Sequence, residues 1–371
     1  MILKDIHFHQ FKNSDSLQYF PEVGMNFIIG ENGLGKTNIL DAIHFCCMTK
    51  SYFHHSEKLC IQHEKDFFRL ESHWIDSENE SHEVVVKCTR ESGREIRWDQ
   101  KDYNKASEHL GKIPVIMIIP DEVYTFVSHT EERRKFLNYT LIQIDKEYFA
   151  HLNKFNQQLK QRTALLKSYN ISDAATSKLL DVYESDMANS ANYICNVRNQ
   201  FIQTINPLLQ KYSLEISKGL QSCQIVYSSN ASTDELISIW RNERATDYKS
   251  GRTRTGIHRD RLECLFNNQS LQSFGSQGQI KTFVIALRLA QMKFLEEYLK
   301  SQPVLLLDDL FAKLDEERVS QLLQIIEQSG IRQCFVTDTN MDRAKKISQE
   351  LKIPCTLHLL KNNHLSVYEK K

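Results

Sequence analysis

The sequence predicts an α/β fold in which both ends of the chain build one domain and a helical lobe is inserted between them. Three observations predict it. Short strand-like apolar runs alternate with helical stretches at both ends, a long helical pattern fills the middle, and a phosphate-binding loop near the start finds its carboxylate strand only near the end. The expected boundaries are residues 1–120 for the first part of the domain, 121–245 for the helical lobe and 246–371 for the second part.

Taken in order, residues 27–29, 84–86 and 115–119 read as strands, with one helix after Lys36. From about Glu131 to Tyr212 the pattern turns helical. Leu137, Leu141, Ile144, Tyr148, Leu152, Phe155 and Leu159 recur in steps of three and four. After a polar break at residues 169–173 the rhythm resumes with Leu180, Tyr183, Met187, Ile194, Val197, Phe201, Ile205 and Leu208. Two long amphipathic helices in an antiparallel hairpin are the expectation, their apolar stripes packed together, and the second is expected to end before Pro207. Beyond it, residues 223–227 and 262–266 read as strands, 280–299 as a helix and 304–307 as a buried strand. A helix over 316–328 and an apolar strand at 334–336 follow.

The 371 residues carry 47 Lys+Arg against 47 Asp+Glu and are 41% hydrophobic, which excludes disordered, collagenous and polybasic classes. A neutral total still permits a local basic face for nucleic acid. None of the nine cysteines forms a C-x-x-C pair, which argues against a zinc ribbon or a thioredoxin-like motif. An odd count in a chain of this size fits reduced thiols. The start lacks a basic leader with an apolar stretch, and the longest apolar runs, 115–119 and 304–307, fall far short of a membrane span of roughly 20 residues. The expectation is a cytoplasmic protein with no membrane partner. His7 with His9, and His54 with His55, have no carboxylate or Cys at ligand spacing, so no metal is expected at either pair.

The chemistry concentrates in Gly30, Glu31, Asn32, Gly33, Leu34, Gly35, Lys36 and Thr37, a complete G-x-x-x-x-G-K-[ST] loop. It follows a strand at residues 26–29 and opens a helix over 38–43, the context this motif requires. Glycines let the backbone wrap a phosphate, whose charge is met by N–H groups, the helix N-terminus and the catalytic candidate Lys36. Thr37 would supply a hydroxyl to Mg2+. The complementary strand is residues 303–309, where an apolar run ends in Asp308 and Asp309. Asp308 is expected in the Mg2+ shell, and Asp309 to orient or deprotonate the attacking water. A buried strand ending in a solvated acid pair has the same local pattern, so spacing matters more. Lys36 and Asp308 lie 272 residues apart, far beyond a compact GTPase-like domain, so one nucleotide site unites the two chain ends.

Between them lie Ser276, Gln277, Gly278 and Gln279, directly before an apolar helix. A Ser and a Gly at a helix N-terminus can bind an anion, and Ser-x-x-Gln is also a capping box; both can hold together. The order of phosphate loop, Ser-x-Gly-Gln helix and acid-tipped strand marks the ABC/SMC class of ATPases. In that class Ser276, Gly278 and Gln279 would close on the γ-phosphate of ATP held by a second subunit. The implied active form is a two-fold dimer enclosing two ATP molecules.

With those residues in view, the chain resembles the RecF family of bacterial DNA replication and repair proteins over nearly its full length. The resemblance rests on the loop and its helix with Asp41-Ala42-Ile43, on Thr49-Lys50-Ser51-Tyr52, on Pro120-Asp121-Glu122, and on Glu132-Arg133-Arg134. It continues through Gly256-Ile257-His258-Arg259-Asp260, the Ser276 segment, Asp308-Asp309 and Leu314-Asp315. Departures are Asp121-Glu122 in inverted order, Ile257 where the family carries Pro, and Ala312-Lys313 ahead of Leu314-Asp315. Thr337-Asp338 stands where ABC transporters carry a switch His, which points to a slow, switch-like ATPase. The resemblance implies an ABC-type P-loop ATPase head with a short helical lobe, using ATP and Mg2+. It also implies ATP-dependent homodimerisation on double-stranded and gapped or junction DNA, and cooperation with RecR, beside RecO, in loading RecA onto single-stranded gaps.

For DNA, the stretch 241–261 carries seven Lys/Arg against three acids, and Arg252, Arg254 and Arg259 are its candidate phosphate ligands. Arg133 and Arg134 at the start of the hairpin are a second candidate pair; on charge alone a solvated loop accounts for either cluster equally well. Two other classes fit less well. A transporter ATPase subunit would need a surface for membrane helices and usually a switch His, and an SMC-like tether would need a far longer hairpin.

Overall fold

The computed structural model describes residues 1–168, 173–229 and 235–371, so the polar turn expected around 169–172 lies outside the described residues. The chain forms two compact units, one of Met1–Tyr124 with Val284–Lys371 and one of Thr125–Phe283.

The first unit is built on a six-stranded sheet ordered His364–Lys370, Cys355–Lys361, Gly24–Ile29, Gln333–Asp338, Val304–Leu307, Val115–Ile118. Every neighbouring pair is parallel except the edge pair His364–Lys370 with Cys355–Lys361. Gly24–Ile29 and Val304–Leu307 are buried at every position, which is why they read as unbroken apolar runs rather than alternating ones. Because Ile29 lies opposite Asp338, and Val336 opposite Leu307, the carboxyl ends of these strands come out on one edge. Open parallel sheets bind ligands at that edge.

A second, antiparallel six-stranded sheet runs Ser14–Tyr19, Ile2–Phe11, Phe67–Ile75, Ser81–Thr89, Gly93–Trp98, Lys101–Asp102. Only residues 84–86 of it stand out in the sequence pattern. Phe67–Ile75 alternates strictly between buried and half-buried residues, with Phe68, Leu70, Ser72 and Trp74 inward. Ser72 in the apolar row hides the period, and the structure satisfies it by accepting a hydrogen bond from Trp74 Nε1 at 2.9 Å. The helix Lys36–Met48 is buried at every position from Ile39 onward, because it packs on strands of both sheets. Phe45 meets Phe68 edge to face at 5.3 Å, and Phe68 meets Phe11 at 5.2 Å.

The helical unit departs from the expected hairpin in three ways. Its first arm is two helices, Thr130–Ile144 and Lys146–Ser168. Asp145 between them is extended, and its carboxylate accepts from the Tyr148 N–H at 2.8 Å and from the Tyr193 hydroxyl at 2.9 Å. That local capping outcompetes a continuous apolar period. Second, Ala174–Ile216 runs straight through Pro207. The backbone of Ile225 pairs in both directions with the Asn206 amide at 2.9 Å, and Leu209, Tyr212 and Ile216 are buried beyond it, so tertiary packing outweighs the missing hydrogen bond. Third, the lobe does not end at 245, a position inside the helix Leu236–Ser250; the compact units divide at 283. The reason is strand pairing: Arg261–Phe266 lies antiparallel to Cys223–Ser228, with Cys264 opposite Ile225.

The core of this unit also contains charge. Arg162, fully buried, donates to Glu184 at 3.0 Å, Asp247 at 2.8 Å and Thr253 at 2.7 Å, joining four chain segments. All nine cysteines are buried and unpaired, and burial pushes the Cys46 thiol up to about 12. Among the described residues no helix is long and apolar enough to cross a membrane.

Candidate functional site

The loop after Gly24–Ile29 turns through Gly33 at φ +83° and Gly35 at φ +95°, left-handed angles that a side chain resists. A Cβ on Gly35 would also lie 2.9 Å from Asn13 Oδ1. Lys36 folds back over the loop, its Nζ donating to the carbonyls of Gly30 and Glu31 at 2.8 Å each. Thr37, in the first turn of the helix, has its hydroxyl 3.0 and 2.9 Å from the two carboxylate oxygens of Asp308. Residues 271 positions apart thus meet at one point.

Thr337, on the strand between them, donates its hydroxyl to Asp308 Oδ1 at 2.6 Å and accepts from the Asp309 N–H at 2.9 Å. Through these two bonds it orders the acid pair. Asp309 has a left-handed backbone, φ +43°, and its Oδ1 is buried with no hydrogen-bond partner among the described residues. Burial first, then the charges of Asp338 and Asp308, raise its pKa, against the pull of Arg343 and Lys36. Asp338 is held by Arg343 through two bonds of 2.8 and 2.6 Å. The Lys36 ammonium is pulled the other way: burial lowers its pKa, and Asp309, Asp308 and Asp338 oppose that.

Gly33, Gly35, Lys36, Thr37, Asp308, Asp309 and Thr337 line a cleft of about 450 Å3, the size of an ordinary small-ligand site, together with Asn13, Phe53 and Pro120. The donor set fits a polyphosphate with a divalent cation. Loop N–H groups, a helix N-terminus and Lys36 suit phosphate oxygens. The Thr37 hydroxyl and the Asp308 carboxylate are hard oxygen donors of the kind Mg2+ takes, and the orphaned Asp309 oxygen is free to accept a proton or a water. Asn13 and Phe53 are additions to the residues expected from the sequence, where nothing in their spacing ties them to the loop.

Ser276 and Gly278 belong to the other compact unit, at the start of Gln277–Leu299. The Ser276 N–H donates to Gln279 Oε1 at 2.8 Å and the Gln279 N–H to Ser276 Oγ at 3.3 Å, a reciprocal capping box on an exposed corner. Phe274, two residues earlier, is 76% exposed.

The DNA candidates divide. Arg133 is a correction: its side chain is buried and donates to the carbonyls of Phe126 and Val127 and to the Thr130 hydroxyl, so it ties off helix ends and offers nothing to DNA. Arg134 is half-buried and donates to the Asp260 carbonyl at 3.1 Å. Arg252, Arg254 and Arg259 are exposed, and Arg254 leans toward Asp247 at 3.7 Å. Two members of the basic stretch are spent internally, Arg241 on Asp181 and Arg244 on Asp181 and Glu184.

Comparison with known proteins agrees with this architecture. The family model for the RecF/RecN/SMC N-terminal domain matches residues 2–356. Proteins named DNA replication and repair protein RecF are similar over almost the whole chain. That of Bacteroides thetaiotaomicron is 33% identical over 351 residues, covering 95% of this chain and 94% of its own. That of Phocaeicola vulgatus is 35% identical over 360 residues, covering 95% and 96%. Among solved structures, the recombination mediator protein RecF-ATP of the RecFOR pathway superposes with a TM-score of 0.87 at 23% identity, covering 99% of this chain and 98% of that one. The Smc head domain of Pyrococcus furiosus superposes with a TM-score of 0.56 at 14% identity, covering 100% and 96%. By its family model, its relatives and its fold, the chain belongs to the RecF family of DNA replication and repair proteins, built on an SMC-type ABC ATPase head.

Proposed function

We propose that the protein is an ATP-dependent DNA-binding mediator of recombination and repair. Its cleft takes ATP with Mg2+. Lys36 and the loop residues 30–37 hold the phosphates, Thr37 and Asp308 hold the metal, and Asp309 orients the water for a slow, DNA-stimulated hydrolysis. Ser276, Gly278 and Gln279 complete the site of a second copy, so ATP closes a homodimer on gapped or junction DNA. With RecR, the dimer helps load RecA onto the single strand, and hydrolysis releases it. One observation carries the reading: Thr37 and Asp308, from opposite ends of the chain, meet within 3.0 Å beside Lys36 and an unpartnered Asp309 oxygen. Names of relatives and a structural neighbour support the wider role, being DNA replication and repair proteins and a recombination mediator with ATP.

Gel filtration with ATP, with and without gapped DNA, tests it. A species of dimer mass that forms only with ATP and is retained on gapped DNA is expected. A monomer under every condition, or equal retention with ADP, would refute it.

A further inference from the structure

The helical unit holds a second pocket, of about 260 Å3, that the nucleotide chemistry does not use. Its polar lining includes Glu131, Arg134 and Asn138 of Thr130–Ile144, Asn156 of Lys146–Ser168, Arg198 of Ala174–Ile216, and His258. The hydrogen bonds behind the wall fix what it offers. Arg198 is 1% exposed. Its Nη1 donates to Asp260 at 2.6 Å and to the Ile257 carbonyl at 3.1 Å, its Nε to the Tyr148 oxygen at 3.0 Å, and its Nη2 to Asn138 Oδ1 at 3.1 Å. A guanidinium has five N–H donors and accepts nothing, so one N–H on Nη2 meets no acceptor among the described residues.

Tyr148 accepts from Arg198, so its own proton goes to Asn138 Oδ1, 2.7 Å away. Two donors on one oxygen fix the amide: Asn138 presents NH2, not oxygen, as its remaining group. Arg134 adds a cation whose bond goes to the backbone carbonyl of Asp260, with no ion pair among the described residues. Burial lowers its pKa, as do the nearby charges of Arg198 and Arg259, with Glu131 pulling the other way. Glu131 itself stands at 4.0 Å from Lys135 and is mostly exposed. The ring acceptor of His258 is turned against Gly256, out of solvent, while its Nε2 is 3.0 Å from the Thr253 carbonyl.

A concave site with unused donors and an arginine whose hydrogen bond goes to a carbonyl rather than a carboxylate suits a ligand that only accepts and is negative. We propose that this pocket is a phosphoryl-oxygen site, and that the phosphate it takes is one of the backbone of bound DNA. The oxyanion chemistry stands on the pocket alone; the choice of DNA as its source rests on the DNA-binding reading above. A free phosphate or a nucleotide presents the same oxygens, and the test separates these sources.

Two variants of the full chain serve. Asn138→Asp keeps an oxygen for Tyr148 and Arg198 while turning the donating amide into a carboxylate. Arg134→Gln removes the cation without touching that network. Fluorescence anisotropy with a labelled duplex, calorimetry with inorganic phosphate on protein whose nucleotide cleft is already filled with a non-hydrolysable ATP analogue, and ATP affinity are measured for each. The expected result is about tenfold weaker duplex binding, as for the removal of one charge-assisted hydrogen bond. Phosphate binding disappears, the salt slope of Arg134→Gln falls by about one, and ATP affinity does not change. Phosphate binding abolished with duplex affinity intact overturns DNA as the source. Duplex and phosphate affinities both unchanged overturn the site. Failure of the parent to bind any duplex refutes the DNA-binding reading and the DNA source, while the phosphate arm still decides the pocket.

Discussion

Lys36→Ala removes an ammonium that lines the nucleotide cleft. An ammonium has three N–H donors. Two are engaged with the loop carbonyls of Gly30 and Glu31 at 2.8 Å, which leaves the third for a phosphate oxygen in the cleft. A hydrogen bond to a charged group contributes about 1.5–3 kcal/mol, and its loss lowers affinity by about ten- to 150-fold. A phosphate engages more than one such donor once the loop closes on it, so ATP binding should fall below detection at micromolar concentrations. Stability should change little. The residue is 7% exposed and its hydrogen bonds go to loop carbonyls that water can satisfy, and Lys36→Met, which keeps the aliphatic stem, should melt within a few degrees of the parent. Calorimetry with ATP and ADP, beside thermal melting, gives both quantities. A variant that melts like the parent and binds ATP with parental affinity would falsify the assignment of this cleft.

The other outcomes follow from the same geometry. Asp309→Asn should keep ATP binding but stall hydrolysis, leaving a dimer that persists on DNA; turnover at the parental rate would move the water-activating role to another residue. Replacing Arg252, Arg254 and Arg259 together by Gln should weaken all duplexes alike and flatten the salt dependence by about one unit for each phosphate no longer neutralised. Unaltered affinity would place the DNA surface on another face. Arg162→Met strips Asp247 of its closest charged partner in the lobe core, since Glu184 retains Arg244 while Asp247 is left with the Arg254 guanidinium at 3.7 Å and the Arg254 backbone. Chemical denaturation should register a loss of about 3–5 kcal/mol, and a loss below about 1 kcal/mol would show the carboxylate to be otherwise satisfied.

The parts of the fold legible in the sequence are those whose chemistry is local. Val304–Leu307 and Glu316–Gln328 fall where their apolar run and helical period put them, and the loop at 30–37 specifies its own flanking strand and helix. What escapes is set by partners distant in sequence. The antiparallel sheet carries Ser72 and His73 in rows that only cross-strand neighbours make sense of. Pro207 sits in mid-helix because Ile225 grips the residue before it, and no rule applied to residues 200–210 contains that fact. The split of the first arm at Asp145 is visible in principle, as an Asp three residues ahead of Tyr148, yet the apolar steps run across it without a gap. In the site, Lys36, Thr37 and the acid pair are readable from motifs. Asn13 and Phe53 are not, because they reach the cleft from turns whose placement depends on both sheets. Arg133 misleads because charge in a sequence does not tell whether a guanidinium faces solvent or caps its neighbours.

If one nucleotide is enclosed by two copies of the chain, Ser276 is the residue at which the enclosure can be blocked. Its hydroxyl caps Gln277–Leu299 on an exposed corner, so a purely structural serine would contribute about 1 kcal/mol and no more. The measurement is the mass in solution, by light scattering with ATP, of Asp309→Asn and of Asp309→Asn with Ser276→Arg. A dimer is expected for the first and a monomer for the second, both binding ATP equally well. A doubly substituted protein that still dimerises with ATP would contradict it.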